Sequence, residues 1–425
     1  MTISVRVRLL YLGFFLLASM TSGCASSGGE KSVQHPVPRL YGADDPQFSR
    51  TMGTMLGADV LDGNRIEALL NGDEIFPAML QAIRSARKTI TFETFIYWSG
   101  AIGREFADAL TERGRAGVKV HVLLDWVGSN KMDAKLLAEM EKAGVQVKKY
   151  HKLNWYQLGK LNNRTHRKLL IVDGWDGFTG GVGIADEWTG HAQDPEHWRD
   201  SHYRVQGPVV GQMQAVFMDN WIKVSGDVLH GSDYFPLLKP AGGGKAHVFS
   251  SSASGGSESM RLMYLLAITA ASHSVHLSTP YFVPDILTSN AIADAAKRGV
   301  NVQIITVGSH GDSETVRRAS RARWGPLLEA GVEIYEYQPT MYHCKVMIVD
   351  ALWVTVGSTN FDPRSFRLND EANVSFFDTD FATRHLDIFR QDLERSRRVT
   401  LQEWKDRPLV EKFWEHAASL LGSQL

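Results

Sequence analysis

Along most of the chain, stretches with apolar residues at helical spacing run into short apolar or alternating stretches that read as strands. Four such blocks of the first half recur, in the same order, in the second. Ala82 to Ile90 matches Ala267 to Val275, each a helix ending in a strand. Arg113 to Leu124 matches Lys297 to Ile305, each a helix, a glycine stop and an alternating strand. Lys142 to Val147 matches Glu329 to Ile334, and Thr165 to Glu187 matches Tyr342 to Arg364. Helices alternating with strands predict an α/β fold in each half, with a largely parallel or mixed sheet covered by helices. Pro240, Gly242 to Gly244 and the run Ser250 to Ser252 mark the junction, so the halves are predicted at residues 61–239 and 245–425.

The first residues follow another pattern. Arg6 and Arg8 precede an apolar run from Leu9 to Leu17, too short to span a bilayer comfortably, and small residues then lead to Cys24. Ser22-Gly23-Cys24 followed by Ala25 resembles the lipobox of bacterial lipoproteins, with Thr21 where leucine is usual. The expectation is a signal peptide over 1–23, lipidation of Cys24, and a Gly-, Ser- and Pro-containing tether over 24–60. Such a protein is exported and membrane-anchored, facing the periplasm or cell exterior. Ala25 in place of Asp implies the outer membrane by the same resemblance.

With 425 residues, 44% of them hydrophobic, the chain can build two domains or one large duplicated one. Basic and acidic residues number 46 and 47, a net charge of -1, so no global field draws nucleic acid or an acidic lipid surface; any anion site is local. Cys24 and Cys344 suggest no disulfide framework.

The chemistry lies in the fourth block. His166-Arg167-Lys168 and His343-Cys344-Lys345 are each followed, after four more residues, by an aspartate, Asp173 or Asp350. On a strand, positions i and i+2 share a face, so His166 stands beside Lys168 and His343 beside Lys345. The aspartates have the opposite parity and are expected to end the strand and hold the turn, although they complete the motif. Cys344 is expected to pack on the face opposite His343 and Lys345. A polar pair on an otherwise apolar strand is costly without a ligand, and having it twice suggests one shared site. Two imidazoles and two ammonium groups suit phosphodiester transfer: the lysines neutralise phosphate oxygens, one histidine attacks phosphorus and the other moves the proton. Asp200 and Glu371 are candidate carboxylate partners for the imidazoles. Small-residue turns, Gly180 to Gly183 and Gly357 to Asn360, offer Gly181, Ser358 and Asn360 to the phosphate.

These residues resemble the phospholipase D superfamily, marked by two copies of H-x-K-x4-D with a G-[GS]-x-N turn. The run Gly357 to Ser365, continued by Asn369-Asp370-Glu371, looks more specifically like the bacterial cardiolipin synthases. The resemblance covers the chain from about residue 60 onward. It implies a duplicated phospholipase D-like fold of two α/β sandwich halves about a pseudo-twofold axis, a phosphohistidine intermediate, no metal and no cofactor. It carries over His166 and His343 as catalytic, with His166 as nucleophile and His343 as acid and base. Lys168, Lys345 and Asn360 become phosphate binders, and Asp200 and Glu371 imidazole partners. Gly183 departs from the asparagine usual in the first turn, and the paired N-terminal membrane helices of some relatives have no match.

The reaction so implied joins two phosphatidylglycerols into cardiolipin and glycerol. A phospholipase D that uses water, a nuclease, and a lipid-binding lipoprotein without activity are the alternatives; the charge argues against nucleic acid. A metal site on His191, Asp194, Glu196, His197 and His202 has no regular ligand spacing. Phe92, Phe95, Tyr97 and Trp98 are expected in the core rather than along an acyl channel.

Overall fold

The computed structural model describes residues 33–150, 163–252 and 258–420; the expected signal peptide, Cys24 and the first part of the expected tether lie outside them. The first half contributes β1 (Leu61–Leu70), β2 (Thr89–Thr94), β3 (Lys119–Asp125), β4 (Gln146–Tyr150), β5 (Arg164–Thr165), β6 (Leu169–Val172), β7 (Asp176–Gly180) and β8 (Ser201–Gln206). The second contributes β9 (Gly244–Ser251), β10 (Ser274–Ser278), β11 (Asn301–Val307), β12 (Glu333–Tyr337), β13 (Val346–Val349), β14 (Trp353–Gly357), β15 (Asn369–Phe377) and β16 (Ser396–Val399).

All belong to one sheet with the order β16-β12-β11-β10-β13-β14-β15-β9-β1-β8-β7-β6-β2-β3-β4, while β5 pairs with β15 off this path. Read outward from the centre, the first half runs 1-8-7-6-2-3-4 and the second 9-15-14-13-10-11-12, so the duplicated sequence blocks occupy equivalent strands. The sheet is mixed: β2, β3 and β4 are parallel, as are β10, β11 and β12, and the inner strands are antiparallel. Parallel neighbours need helical crossovers, here Ala101–Arg115 and Ile286–Lys297, and these cover the sheet. The β13 strand, Val-Met-Ile-Val, is buried throughout, the pattern of a strand covered on both faces.

Two expectations are corrected. The Gly- and Ser-rich junction is in part a strand: β9 is central, antiparallel to both β1 and β15. Its alternation, Ala246, Val248 and Ser250 against His247, Phe249 and Ser251, outweighs the flanking glycines. The tether is folded over its described length from residue 33: Pro46–Leu56 is a helix, α1. Asp45 caps it by accepting from the Gln47 N–H (2.7 Å), and Gly57 ends it at φ 81. Phe48, Met52 and Leu56 share one face and are buried in the second-half core, where the Phe48 ring lies 5.9 Å from those of Trp353 and Phe377. No described helix is long and apolar enough to cross a membrane.

Candidate active site

Each motif enters the site from a strand segment tied to the opposite half. Arg164 and Thr165 pair in parallel with Asn369 and Asp370, and Tyr342 bridges Arg199 in the same sense. The His166 N–H donates to the Asp370 carbonyl (2.9 Å) and the His343 N–H to the Arg199 carbonyl (2.8 Å). One residue further along each receiving strand stands a carboxylate. The arrangement therefore crosses: Glu371 meets His166, with both oxygens 3.0 Å from Nδ1, and Asp200 meets His343, with Oδ2 2.7 Å from Nδ1. A carboxylate accepting from Nδ1–H fixes the tautomer and leaves the Nε2 lone pair to a substrate.

Burial sets the charge states. It pushes the His166 imidazole down to about 4, with Lys168 adding to the effect and Glu371 opposing it. It also lowers His343, helped by Lys345, whose Nζ lies 3.1 Å from Nδ1 and 3.2 Å from Nε2. Burial pushes the Lys168 ammonium down to about 7, the Lys345 charge assisting, and lowers Lys345. For Asp200 and Glu371 burial acts upward, but the imidazoles and lysines outweigh it and hold both below the ordinary carboxylate range. The resting pairs are thus neutral imidazole on carboxylate. Each lysine donates to the carbonyl of its own motif histidine, both at 2.8 Å.

The two histidines, Lys168 and Asn360 line one cleft of about 490 Å³. Phe95 packs edge-on to His166 (centroids 5.2 Å apart), and Trp188 and Trp198 flank His343 (5.4 and 5.6 Å). Phe92 and Tyr97 are core as expected, whereas Phe95 and Trp98 line the cleft. Asn360 keeps a buried side-chain oxygen with no partner among the described residues, so it is available to a ligand.

Other expected site residues do different work. The Ser358 hydroxyl is buried and donates to Glu371 Oε2, so it positions the carboxylate instead of binding phosphate. Gly181 spends its N–H on the Ser201 carbonyl (3.2 Å), and a Cβ there would lie 2.3 Å from Asp200 Oδ1; its smallness makes room for Asp200. Asp173 and Asp350, counted as catalytic only through the motif they complete, hold turns as their parity predicts. The first accepts from the N–H groups of Arg87, Lys88 and Thr89, the second from those of Ser272, His273 and Ser274, and both adopt positive φ, 52° and 54°. Each ties the end of its motif hairpin to the start of the neighbouring strand. At Gly183 a Cβ would lie 2.7 Å from Ile96 Cβ and 3.2 Å from Trp188 Cη2, so apolar groups fill the space of the usual asparagine.

Trp188, which sequence reasoning missed, does for Asp200 what Ser358 does for Glu371: its Nε1–H donates to Oδ2 (2.9 Å). Arg164, Arg364, Asp362, Asn369, Tyr281 and Asp312 also line the cleft. Burial pushes the Asp362 carboxyl up to about 7. Arg164 had a readable signal, sharing parity with His166 and Lys168, and Asp362, Arg364 and Asn369 lie in the runs that carry the family resemblance; Tyr281 and Asp312 had none. Cys344 is buried, its thiol pushed up to about 12 by burial. His191 pairs with Asp73 and His197 with Asp194, while His202 lies buried in β8. These side chains do not converge, and no metal-holding group of three or more His, Cys, Asp or Glu occurs among the described residues.

A duplicated sheet that brings two His-x-Lys segments to one cleft, each histidine braced by the other half, defines a two-motif enzyme of phosphodiester transfer. The family model described as "Cardiolipin synthase, PLD-like domain" matches residues 79–194 and 264–393. Cardiolipin synthase 2 of Bacillus anthracis is 34% identical over 360 residues, 84% of this chain and 70% of that one. Cardiolipin synthase A of Pseudomonas syringae pv. syringae is 34% identical over 374 residues, 88% and 78% of the two chains. A crystal structure of phosphatidylserine synthase from Haemophilus influenzae Rd KW20 superposes with a TM-score of 0.67 at 14% identity, covering 89% of this chain and 99% of that one, a likeness of fold. The chain belongs to the phospholipase D superfamily of enzymes, on the cardiolipin synthase branch.

Proposed function

We propose that this phospholipid phosphatidyltransferase joins two phosphatidylglycerols into cardiolipin and glycerol through a phosphohistidine. The observation that carries the reading is the crossed pair of His–carboxylate contacts at one cleft, with Lys168 in its lining and Lys345 against the His343 ring. His166 Nε2 attacks the phosphorus of the first lipid, and the bond to its head-group glycerol breaks. His343 gives the leaving oxygen a proton. The hydroxyl of the second lipid then returns a proton to His343 and attacks phosphorus, breaking the P–N bond. A neutral His166 suits attack; a phosphodiester anion bound beside His343 raises that imidazole's pKa, so that it takes up from solvent the proton it later gives to the leaving oxygen. Lys168 and Lys345 neutralise the non-bridging oxygens.

Purified protein is incubated with phosphatidylglycerol vesicles and EDTA, and the lipids are separated and weighed by mass spectrometry. Cardiolipin and glycerol, absent with His166→Ala and with His343→Ala, are expected. Phosphatidic acid alone would establish a phospholipase D, and no lipid product would leave the lipid-binding and nuclease readings. Export and lipidation of Cys24 complete the proposal, with phospholipid as partner and no nucleic acid. Incorporation of labelled palmitate, lost in Cys24→Ser, is expected; equal labelling of both would refute the anchor.

A further inference from the structure

The two halves are alike in their histidines and lysines and unlike in what stands beside them. Aligning His166 with His343 sets Arg164 opposite Met341, and Arg364 opposite Glu187. Both arginines line the cleft that holds His166, Lys168 and Asn360, and both are half-buried. Arg164 shares its strand face with His166 and Lys168 and stands in register with Asn369 of the other half. Arg364 projects from the short helix Pro363–Arg367, which Asp362 caps (2.7 Å to the Ser365 N–H). Burial and the nearby Arg164 charge lower the Arg364 pKa, outweighing the opposing carboxylates of Asp362, Glu371 and Asp125. Asn369 adds a second indication: its Nδ2 donates to Glu371 Oε1 (3.3 Å), which orients the amide, while its buried Oδ1 has no partner among the described residues.

In the proposed reaction, Lys168 and Lys345 match the phosphate being transferred, and the leaving glycerol is uncharged. The one other anion is the phosphodiester of the second lipid, a glycerol away from its attacking hydroxyl. Resting on the cardiolipin reading, we infer that Arg164 and Arg364 form the acceptor subsite, holding the phosphodiester of the incoming lipid, with Asn369 Oδ1 accepting from a hydroxyl of its glycerol. Planar guanidinium groups bind phosphate oxygens two at a time, so the subsite selects an anionic alcohol over water or a neutral one.

Phosphatidylglycerol vesicles supplied with ethanol make two acceptors compete for one phosphatidyl-enzyme. The ratio of cardiolipin to phosphatidylethanol is measured for the wild type, Arg164→Met, which borrows the residue of the other half, Arg364→Gln, and Arg164→Lys. Each loss of a guanidinium charge is expected to lower the ratio about tenfold or more, with Arg164→Lys in between. A role in folding or in holding the donor lowers both products together, so an unchanged ratio in the variants, with cardiolipin made by the wild type, overturns the subsite alone. Phosphatidylethanol without cardiolipin from the wild type overturns the cardiolipin reading and the subsite together.

Discussion

His166 in the free enzyme is an imidazole that resists protonation, and this makes the pH dependence of the enzyme a test of its environment. Because its pKa is pushed down to about 4, the neutral, attacking form persists through the range in which an ordinary histidine, at 6.5, takes up its proton. Lys168, pushed down to about 7, loses its charge on the alkaline side. The His166 limb of the kcat/KM profile is therefore expected only near pH 4, and loss of the Lys168 charge contributes an alkaline limb near 7, beside the one set by His343, which must gain a proton to act as acid. Lys168→Arg, whose guanidinium keeps its proton, moves the alkaline limb upward in its residual activity. An acid limb near 6.5 would show that burial does not govern His166. Glu371→Gln and Asp200→Asn free the imidazole tautomers and are expected to lower kcat roughly 10²- to 10⁴-fold, measured on phosphatidylglycerol vesicles. Ser358→Ala, which acts through Glu371, lowers kcat less and leaves KM in place. Activity near the wild-type level in Glu371→Gln would remove the carboxylate from the mechanism.

At this scale the histidines and lysines were legible in the sequence, because polar pairs recur on apolar strands, whereas the carboxylates rested on the family resemblance. Which carboxylate serves which histidine was not legible. Each candidate lies downstream of the histidine in its own half, and only the exchange of strand segments between halves crosses them.

Among the elements, the hairpins after each motif depend on one aspartate apiece. Asp173→Ala strips the acceptor from the N–H groups of Arg87, Lys88 and Thr89, at an expected cost of about 1–3 kcal/mol. Denaturant unfolding measures that cost, and kcat per folded molecule stays near wild type. A loss of kcat without a loss of stability would return Asp173 to the chemistry. Parity placed Asp173 and Asp350 in turns from sequence alone. The α1 helix was hidden by its Pro and Gly neighbours, although Phe48, Met52 and Leu56 carry the helical spacing. Its docking rests on Phe48, so Phe48→Ala is expected to destabilise the fold by about 3–5 kcal/mol by the same measurement. A change under about 1 kcal/mol would mean that α1 packs loosely.

Over the whole molecule, duplication yields a site that neither half completes. The order of repeated blocks in the sequence disclosed the two halves, and the equivalent strand orders bear this out. The continuous sheet was not legible, since β9 lies in a stretch rich in glycine and serine. Arg167, between His166 and Lys168, is buried across the junction: it donates to the carbonyls of Val216 (2.7 Å) in the first half and Ser251 (3.2 Å) in the second. Such clamps keep each histidine on the other half's carboxylate. A double-mutant cycle on kcat should therefore couple Glu371 with His166 and Asp200 with His343, leaving the pairs within one half near additive.

The most direct test of the two-histidine mechanism is to quench the enzyme during turnover of phosphatidylglycerol labelled with ³²P and locate the label on the protein. An acid-labile, alkali-stable phosphoryl group is expected on the peptide containing His166, present in the wild type, retained in His343→Ala and absent from His166→Ala. Label on the His343 peptide would exchange the two roles. Cardiolipin formed with no covalent label in any variant would contradict the phosphohistidine itself.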